Sequence, residues 1–352
     1  MKNFLKIGHK KIGDKFKPFI ICELGINHNG SLKLAKKMVD LAHKSGADAI
    51  KNQRHILDKE MIPEAKKIKP ANADSSIYDV IEKTLMSFED EKKLKKYVEK
   101  KKLVYLSTPF SLEAAKQLNK INIKAFKIGS GECNNIPLIK KIANFKKPII
   151  LSTGMNDIKS INKSVNVLKK KKANFALLHC ISEYPANIKK LNLDFINVLK
   201  KKFPNIIIGY SDHAKGVIPA ISAISKGASI IEKHFTDTKK RIGPDIICSM
   251  DPNELKLLRE SANQIFYSNG RKRIISPIEK IKIYNNINPE NKKNLNKYLT
   301  KFNQIEVDNE FKPGLRFQYF DFINHYFDNK KSILTTSIKD LKEIYKICEL
   351  LR

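Results

Sequence analysis

Eight short apolar runs, separated by longer amphipathic stretches, constrain this chain more than any other feature of its sequence. The runs are PFIICELG from Pro18, DAIKNQ from Asp48, LVYLSTPF from Leu103, AFKIGSGE from Ala125, PIILSTG from Pro148, FALLHCISEY from Phe175, NIIIGYSDH from Asn205 and SIIEKHF from Ser229. Each has the length of a buried strand. The segments between them read as helices: SLKLAKKMVDLAHKSG, FEDEKKLKKYVEKKK, SLEAAKQLNK, IPLIKKIANF, KSINKSVNVLKK, LDFINVLKKKF and GVIPAISAISKG. Three of these begin with a residue able to cap a helix and two end in Gly. An α/β chain with eight such beats is expected to close into a (β/α)8 TIM barrel. The competing open, doubly wound sheet calls for a G-x-G-x-x-G loop after its first strand, and GINHNG does not supply one.

The beat stops near residue 270. Residues 1–270 are therefore read as the barrel and 271–352 as a small divergent C-terminal module, rich in Lys and Asn and then in aromatics (FQYFDFINHYF). Lys and Arg number 68 against 36 Asp and Glu, a formal charge of +32, which invites a nucleic-acid or anionic-membrane reading. The cations are mostly Lys spread along helical faces, and no stacking aromatics or helix-turn-helix accompany them. A basic nucleic-acid-binding protein on a barrel scaffold stays the alternative of a different class. Cys22, Cys133, Cys180, Cys248 and Cys348 are scattered without C-x-x-C spacing, as suits a reducing cytoplasm. No run of ~20 apolar residues occurs, and no membrane association is expected.

The chemistry is concentrated where each run turns polar. In a barrel those positions ring the carboxyl ends of the strands, where active sites are built. Lys51 and Lys127, with the hydroxyls of Thr108, Ser130, Ser152 and Ser211, could wrap a phosphate and a carboxylate, combining point charge with oriented donors. His213 and His234 end the seventh and eighth runs, beside Asp212 and Glu232. They could converge on one divalent ion with open positions, or serve as ordinary core histidines. Glu23 and Glu132 sit in apolar contexts that suit a general base, a hydroxyl-orienting carboxylate or a structural partner for a barrel Lys.

The segments ELGINHNGSLKLAKKMVDLAHKSGADAIKNQ, LVYLSTPFS, AFKIGSGECNNIPLI, PIILSTGM, GYSDH, EKHFTD and GPDIICSMDP resemble the sialic acid synthase family from about Pro18 to Asn269. The resemblance implies a barrel enzyme that condenses phosphoenolpyruvate with an N-acetylated mannosamine-type sugar to a nine-carbon 2-keto acid and phosphate, using Mn2+ or Mg2+. Legionaminic or pseudaminic acid synthesis is the nearest alternative. It further implies metal ligation by His213 and His234, and phosphoenolpyruvate binding by Lys51, Thr108, Lys127, Ser130, Ser152 and Ser211. Ser182 of SEYP, which stands where many members carry Asn, would join the phosphoenolpyruvate pocket. The sugar would meet Glu23, Gln53, Asn72, Tyr184 and Asp245; Glu132 would assist the attacking water, and Glu232 would orient metal-bound water or a sugar hydroxyl. The family's C-terminal antifreeze-like domain, which helps hold a homodimer, is echoed only by FKPGLR from Phe311.

Overall fold

The computed structural model describes residues 4–69 and 74–269. A two-stranded hairpin, β1 (Leu5–Ile7) and β2 (Lys10–Ile12), precedes eight parallel strands: β3 (Phe19–Glu23), β4 (Ala49–Arg54), β5 (Val104–Pro109), β6 (Phe126–Ile128), β7 (Ile149–Ser152), β8 (Phe175–Cys180), β9 (Ile207–Asp212) and β10 (Ile230–His234). The eight close into a barrel, with β10 pairing both β9 and β3. Seven of the eight expected runs contain their strand, and β4 extends one residue beyond its run, to Arg54. The barrel lies within the first of two units of the chain, Met1–Asn269. The expected C-terminal module and Asn72 lie outside the described residues.

Ten helices, among the described residues, accompany the strands: α1 (Leu32–Lys44), α2 (Leu57–Glu60), α3 (Ile77–Thr84), α4 (Phe88–Lys100), α5 (Leu112–Lys120), α6 (Ile136–Asn144), α7 (Ile158–Lys170), α8 (Phe195–Lys202), α9 (Ile218–Ser225) and α10 (Pro252–Ser268). Helix α1 shows why they form. Ser31 accepts from the Leu34 N–H, and Ala35, Met38, Val39 and Ala42 recur at helical spacing to bury one face. Helix α10, absent from the expected set, starts on a capping box in which Asp251 and Glu254 bond reciprocally to each other's backbone. Its Arg259 donates to the carbonyls of Gly46 and Pro18 and so ties α10 to the segments just after α1 and just before β3. After α4 to α7 the left-handed turn positions are filled by Lys102, Asn122, Lys146 and Lys172, which is why Gly marked so few helix ends.

The strands alternate between two cores. Outward residues such as Ile20, Ile50, Tyr105, Phe126 and Ile231 pack under the helices. Inward residues Phe19, Ile21, Ala49, Val104, Leu106, Ala125, Ile150, Ala176, Leu178 and Ile230 fill the amino-terminal half of the barrel, which Leu5, Ile7 and Ile12 of the hairpin plug. Gly209 keeps that interior closed: a Cβ there would sit 2.5 Å from the Ile230 carbonyl oxygen and 2.6 Å from Leu178. With one end sealed by hydrocarbon, every inward polar side chain is directed to the other.

Candidate active site

Counting by twos from that apolar plug gives the inward residues at the open end: Glu23, Lys51, Gln53, Thr108, Lys127, Ser152, Cys180, Ser211, Glu232 and His234. Register sets them in neighbouring rungs, with His234 opposite Glu23, Glu23 opposite Lys51, Gln53 opposite Thr108 and Glu232 opposite Ser211. Four charges form the centre. Lys51 contacts Glu23, lies 3.9 Å from Glu232, and donates to Thr108 Oγ1 at 3.0 Å. Lys127 lies 3.3 Å from Glu232, which also accepts from Ser211 at 3.0 Å. All are buried, and two ammoniums against two carboxylates balance formally, as buried charges require.

The electrostatics leave this centre poised. Burial pulls the Lys51 ammonium down to about 7, an effect that Glu232 opposes and Lys127 reinforces. Burial works against ionisation of Glu232, yet Lys127, Lys51 and Ser211 outweigh it and hold the carboxylate below its ordinary range. An arriving anion would favour the charged form of Lys51. The Ser152 hydroxyl, buried and without a hydrogen-bond partner among the described residues, is a donor that a ligand oxygen could accept from.

A second cluster adjoins it. The Gly154 N–H donates to Ser130 Oγ at 3.1 Å, and a Cβ on Gly154 would lie 2.5 Å from Ser182 Oγ and 2.8 Å from Ser130 Oγ. Only a glycine leaves room for both hydroxyls to approach this position of the backbone. Ser130 belongs to the turn Ser130–Glu132. Glu132, half-buried on that turn, accepts from Asn135 at 2.5 Å, and this bond directs it toward the start of α6.

The imidazoles of His213 and His234 meet with ring centroids 5.6 Å apart. Tyr184 packs on both, 4.1 Å from His213 and edge-on at 5.9 Å to His234. His213 Nδ1 donates to the Ile181 carbonyl oxygen at 2.8 Å; burial disfavours the charged ring, but Cys180 and that carbonyl outweigh it and raise the imidazole, whose Nε2 carries a lone pair in the neutral form. Burial, reinforced by His213 and Lys51, keeps His234 neutral, and its Nδ1 has no hydrogen-bond partner among the described residues, with Asp245 Oδ2 3.5 Å away. Burial pushes Asp245 up to about 6 against the pull of His213 and Lys51. Cys180 is the remaining neighbour: burial raises its thiol, but His213, 3.7 Å away, together with Ser130 and Lys127, brings it down to about 7.

These residues fit a divalent cation bound through two imidazoles with other positions open. The orphaned Nδ1 of His234 and the tautomer set on His213 are what such a site requires. No group of three or more His, Cys, Asp or Glu among the described residues could hold a metal alone, so substrate or water oxygens would complete the shell. Asp212 does not join it. Placed beside His213 in the sequence, it faces the helices, because neighbours on a strand point to opposite sides.

Of the residues read from the sequence, the structure gathers Glu23, Lys51, Thr108, Lys127, Ser211 and Glu232 in one cluster, Ser130 and Ser182 in the next, and His213, His234, Tyr184 and Asp245 in the third. Gln53 is half-buried at the rim, where His55 Nε2 lies 3.1 Å from its Oε1 while His55 Nδ1 meets Glu60 at 2.7 Å. Gly154, Cys180 and the His55–Glu60 pair were missed. The glycine of ILSTG was the one signal available, and it shows no purpose until Ser130 and Ser182 are folded against it.

The NeuB family model matches residues 38–274. An N,N'-diacetyllegionaminic acid synthase of Campylobacter jejuni is 42% identical over 71% of this chain and 76% of its own length. One from Legionella pneumophila is 37% identical over 72% and 74%. The solved N-acetylneuraminic acid (sialic acid) synthetase of Leptospira borgpetersenii superposes with a TM-score of 0.73 at 34% identity, covering 80% of this chain and 95% of that one. The barrel, its polar mouth and these likenesses together place the chain in the NeuB family, and it is an enzyme of the sialic acid synthases.

Proposed function

We propose that the chain condenses phosphoenolpyruvate with an N-acetylated mannosamine-type sugar, giving a nine-carbon sialic acid and phosphate. The observation that carries this reading is the placing of a lysine and hydroxyl cradle beside two open imidazoles in one barrel mouth. Lys127, Ser130, Ser152, Ser182 and the neighbouring Ser211 hold the phosphate, while Lys51 and Thr108 hold the carboxylate. His213 and His234 hold Mn2+ or Mg2+, which when bound supplies Lewis-acid polarisation of the open-chain sugar's carbonyl. Glu23, Gln53, Tyr184 and Asp245 orient the sugar so that its C1 faces the methylene carbon of phosphoenolpyruvate. After that carbon–carbon bond forms, water adds to the carbon bearing phosphate. Glu132, exchanging its bond with Asn135 for one to the water, assists that addition, Glu232 pairs with both lysines, and phosphate leaves with its bridging oxygen.

The names of the Campylobacter and Legionella relatives favour a 2,4-diacetamido-trideoxy sugar, hence a legionaminic-type product, as the second reading. The same experiment separates the two. The protein is incubated with phosphoenolpyruvate, Mn2+ and a panel of N-acetylmannosamine and diacetamido-trideoxy sugars, with phosphate release and product mass as readouts. No phosphate release with any sugar, from folded and metal-loaded protein, would sink the proposal. A homodimer belongs to the same reading and is tested by sedimentation.

A further inference from the structure

Behind the two imidazoles lies an ion pair that the proposed chemistry does not use. Asp212 on β9 and Lys233 on β10 are opposite one another in register, point away from the barrel interior, and meet at 2.8 Å with both side chains fully buried. Their bonds converge on a few atoms. Asp212 Oδ1 accepts from the Ala214 N–H at 3.0 Å and from the Tyr210 hydroxyl at 3.2 Å. Lys233 Nζ donates to the Ala214 carbonyl at 2.7 Å as well as to Asp212 Oδ2. His213 is therefore bracketed: the residue before it and both backbone groups of the residue after it are tied to one buried network. The cation in that network is the immediate neighbour of His234.

We infer that the Asp212–Lys233 pair is a positioning clamp that sets the separation of the His213 and His234 imidazoles for joint binding of a divalent cation. A buried pair is weak evidence for stability as such, since apolar residues of similar volume often serve as well or better. Here Asp212 Oδ1 and the Lys233 ammonium also bind the two backbone groups of Ala214, the residue next to His213, which apolar residues could not do. The nearest strand-to-strand link on the inner face, Ser211 to Glu232, lies on the cradle side and does not bracket either histidine. The inference rests on the reading of His213 and His234 as metal ligands.

The test measures Mn2+ binding to substrate-free protein by titration calorimetry and by loss of the free-ion electron paramagnetic resonance signal. Proteins compared are wild type, His213→Ala, Asp212→Asn, Lys233→Met and the charge-neutral double variant Asp212→Asn/Lys233→Met, with thermal stability followed in chelator. The clamp predicts folded double-variant protein whose Mn2+ affinity falls by between about tenfold and a hundredfold, the range for groups that orient metal ligands. Asp212→Asn, which keeps the Oδ1 acceptor for Ala214, should lose less and carries the test if the others do not fold. Clamp variants that lose stability yet bind Mn2+ within about threefold of wild type overturn the clamp alone. Wild type that binds no Mn2+, or His213→Ala that binds as well, overturns the metal reading and the clamp with it.

Discussion

Substituting Gly154 by Ala puts the phosphate cradle to a direct steric test. Ordinary contact begins at 3.4 Å, so a Cβ placed 2.5 Å from Ser182 Oγ and 2.8 Å from Ser130 Oγ requires the hydroxyls to retreat by about 0.9 Å and 0.6 Å (3.4 − 2.5 and 3.4 − 2.8). The serines can rotate, but the Cys180 carbonyl oxygen at 3.2 Å is fixed in the sheet ladder and blocks escape in its direction. Overpacking of this kind costs about 1–3 kcal/mol, which in a barrel of this size lowers Tm by roughly 2–12 °C. The ligand-binding loss is larger. Each hydrogen bond to a charged group contributes about 1.5–3 kcal/mol, so losing one or both serines should weaken phosphoenolpyruvate binding by at least tenfold. Calorimetric titration with phosphoenolpyruvate, without sugar, reads the second effect and thermal melting the first. Adding Ser182→Ala to Gly154→Ala relieves the closest contact and should recover part of the stability but not the affinity. A Gly154→Ala protein that binds phosphoenolpyruvate as wild type does would show that the two hydroxyls do not hold it.

Three further outcomes follow from the geometry. His213→Ala should abolish metal-dependent turnover while circular dichroism shows an intact barrel, because the imidazole lies at the catalytic rim; unchanged activity at limiting Mn2+ refutes the ligand assignment. Lys51, held at about 7 by burial, is increasingly uncharged as pH rises above 7, so phosphoenolpyruvate should bind with proton uptake and weaken between pH 7 and 9. The same shift makes the unfolded chain bind more protons than the native one from about pH 7 to Lys51's unfolded value of 10.5, so this group's contribution to stability rises with pH there. Calorimetry in buffers of different ionisation enthalpy measures the uptake, and none in wild type, or as much in Lys51→Met, refutes it. Gly209→Ala, with a Cβ 2.5 Å from the Ile230 carbonyl, should destabilise the barrel by about 1–3 kcal/mol or more in urea unfolding; an unchanged midpoint contradicts the packing of the plug.

The residues that made the site legible in sequence were those whose polarity contrasts with their strand. Lys51 in DAIKNQ, Lys127 in AFKIGSGE and Glu232 in SIIEKHF interrupt apolar runs, and a charge in such a run needs a partner or a ligand. Ser130 and Ser182 carry no such contrast, since serine in a loop is ordinary, and their meeting depends on Gly154 from a third segment. Glu132 follows Ser130 closely in AFKIGSGE, which places it near the cradle in sequence. Its carboxylate instead bonds Asn135, a local choice made by the start of α6.

Local chemistry along the chain determined the eight barrel strands, their order, seven of the ten described helices and the polar end of each strand, because those depend on runs and spacings within a few residues; the β1–β2 hairpin, α2, α3 and α10 were not read from it. Which side each polar residue faces was decided only by the closed barrel. A parallel strand covered on both faces is apolar at every position, so its alternation gives no mark of inside and outside. At the strand ends both members of Asp212–His213 and of Lys233–His234 are polar, and again nothing distinguishes them. Closure of β10 onto β3 and the hydrophobic plug set the inward phase, turning His213 and His234 toward the mouth and Asp212 and Lys233 toward the helices.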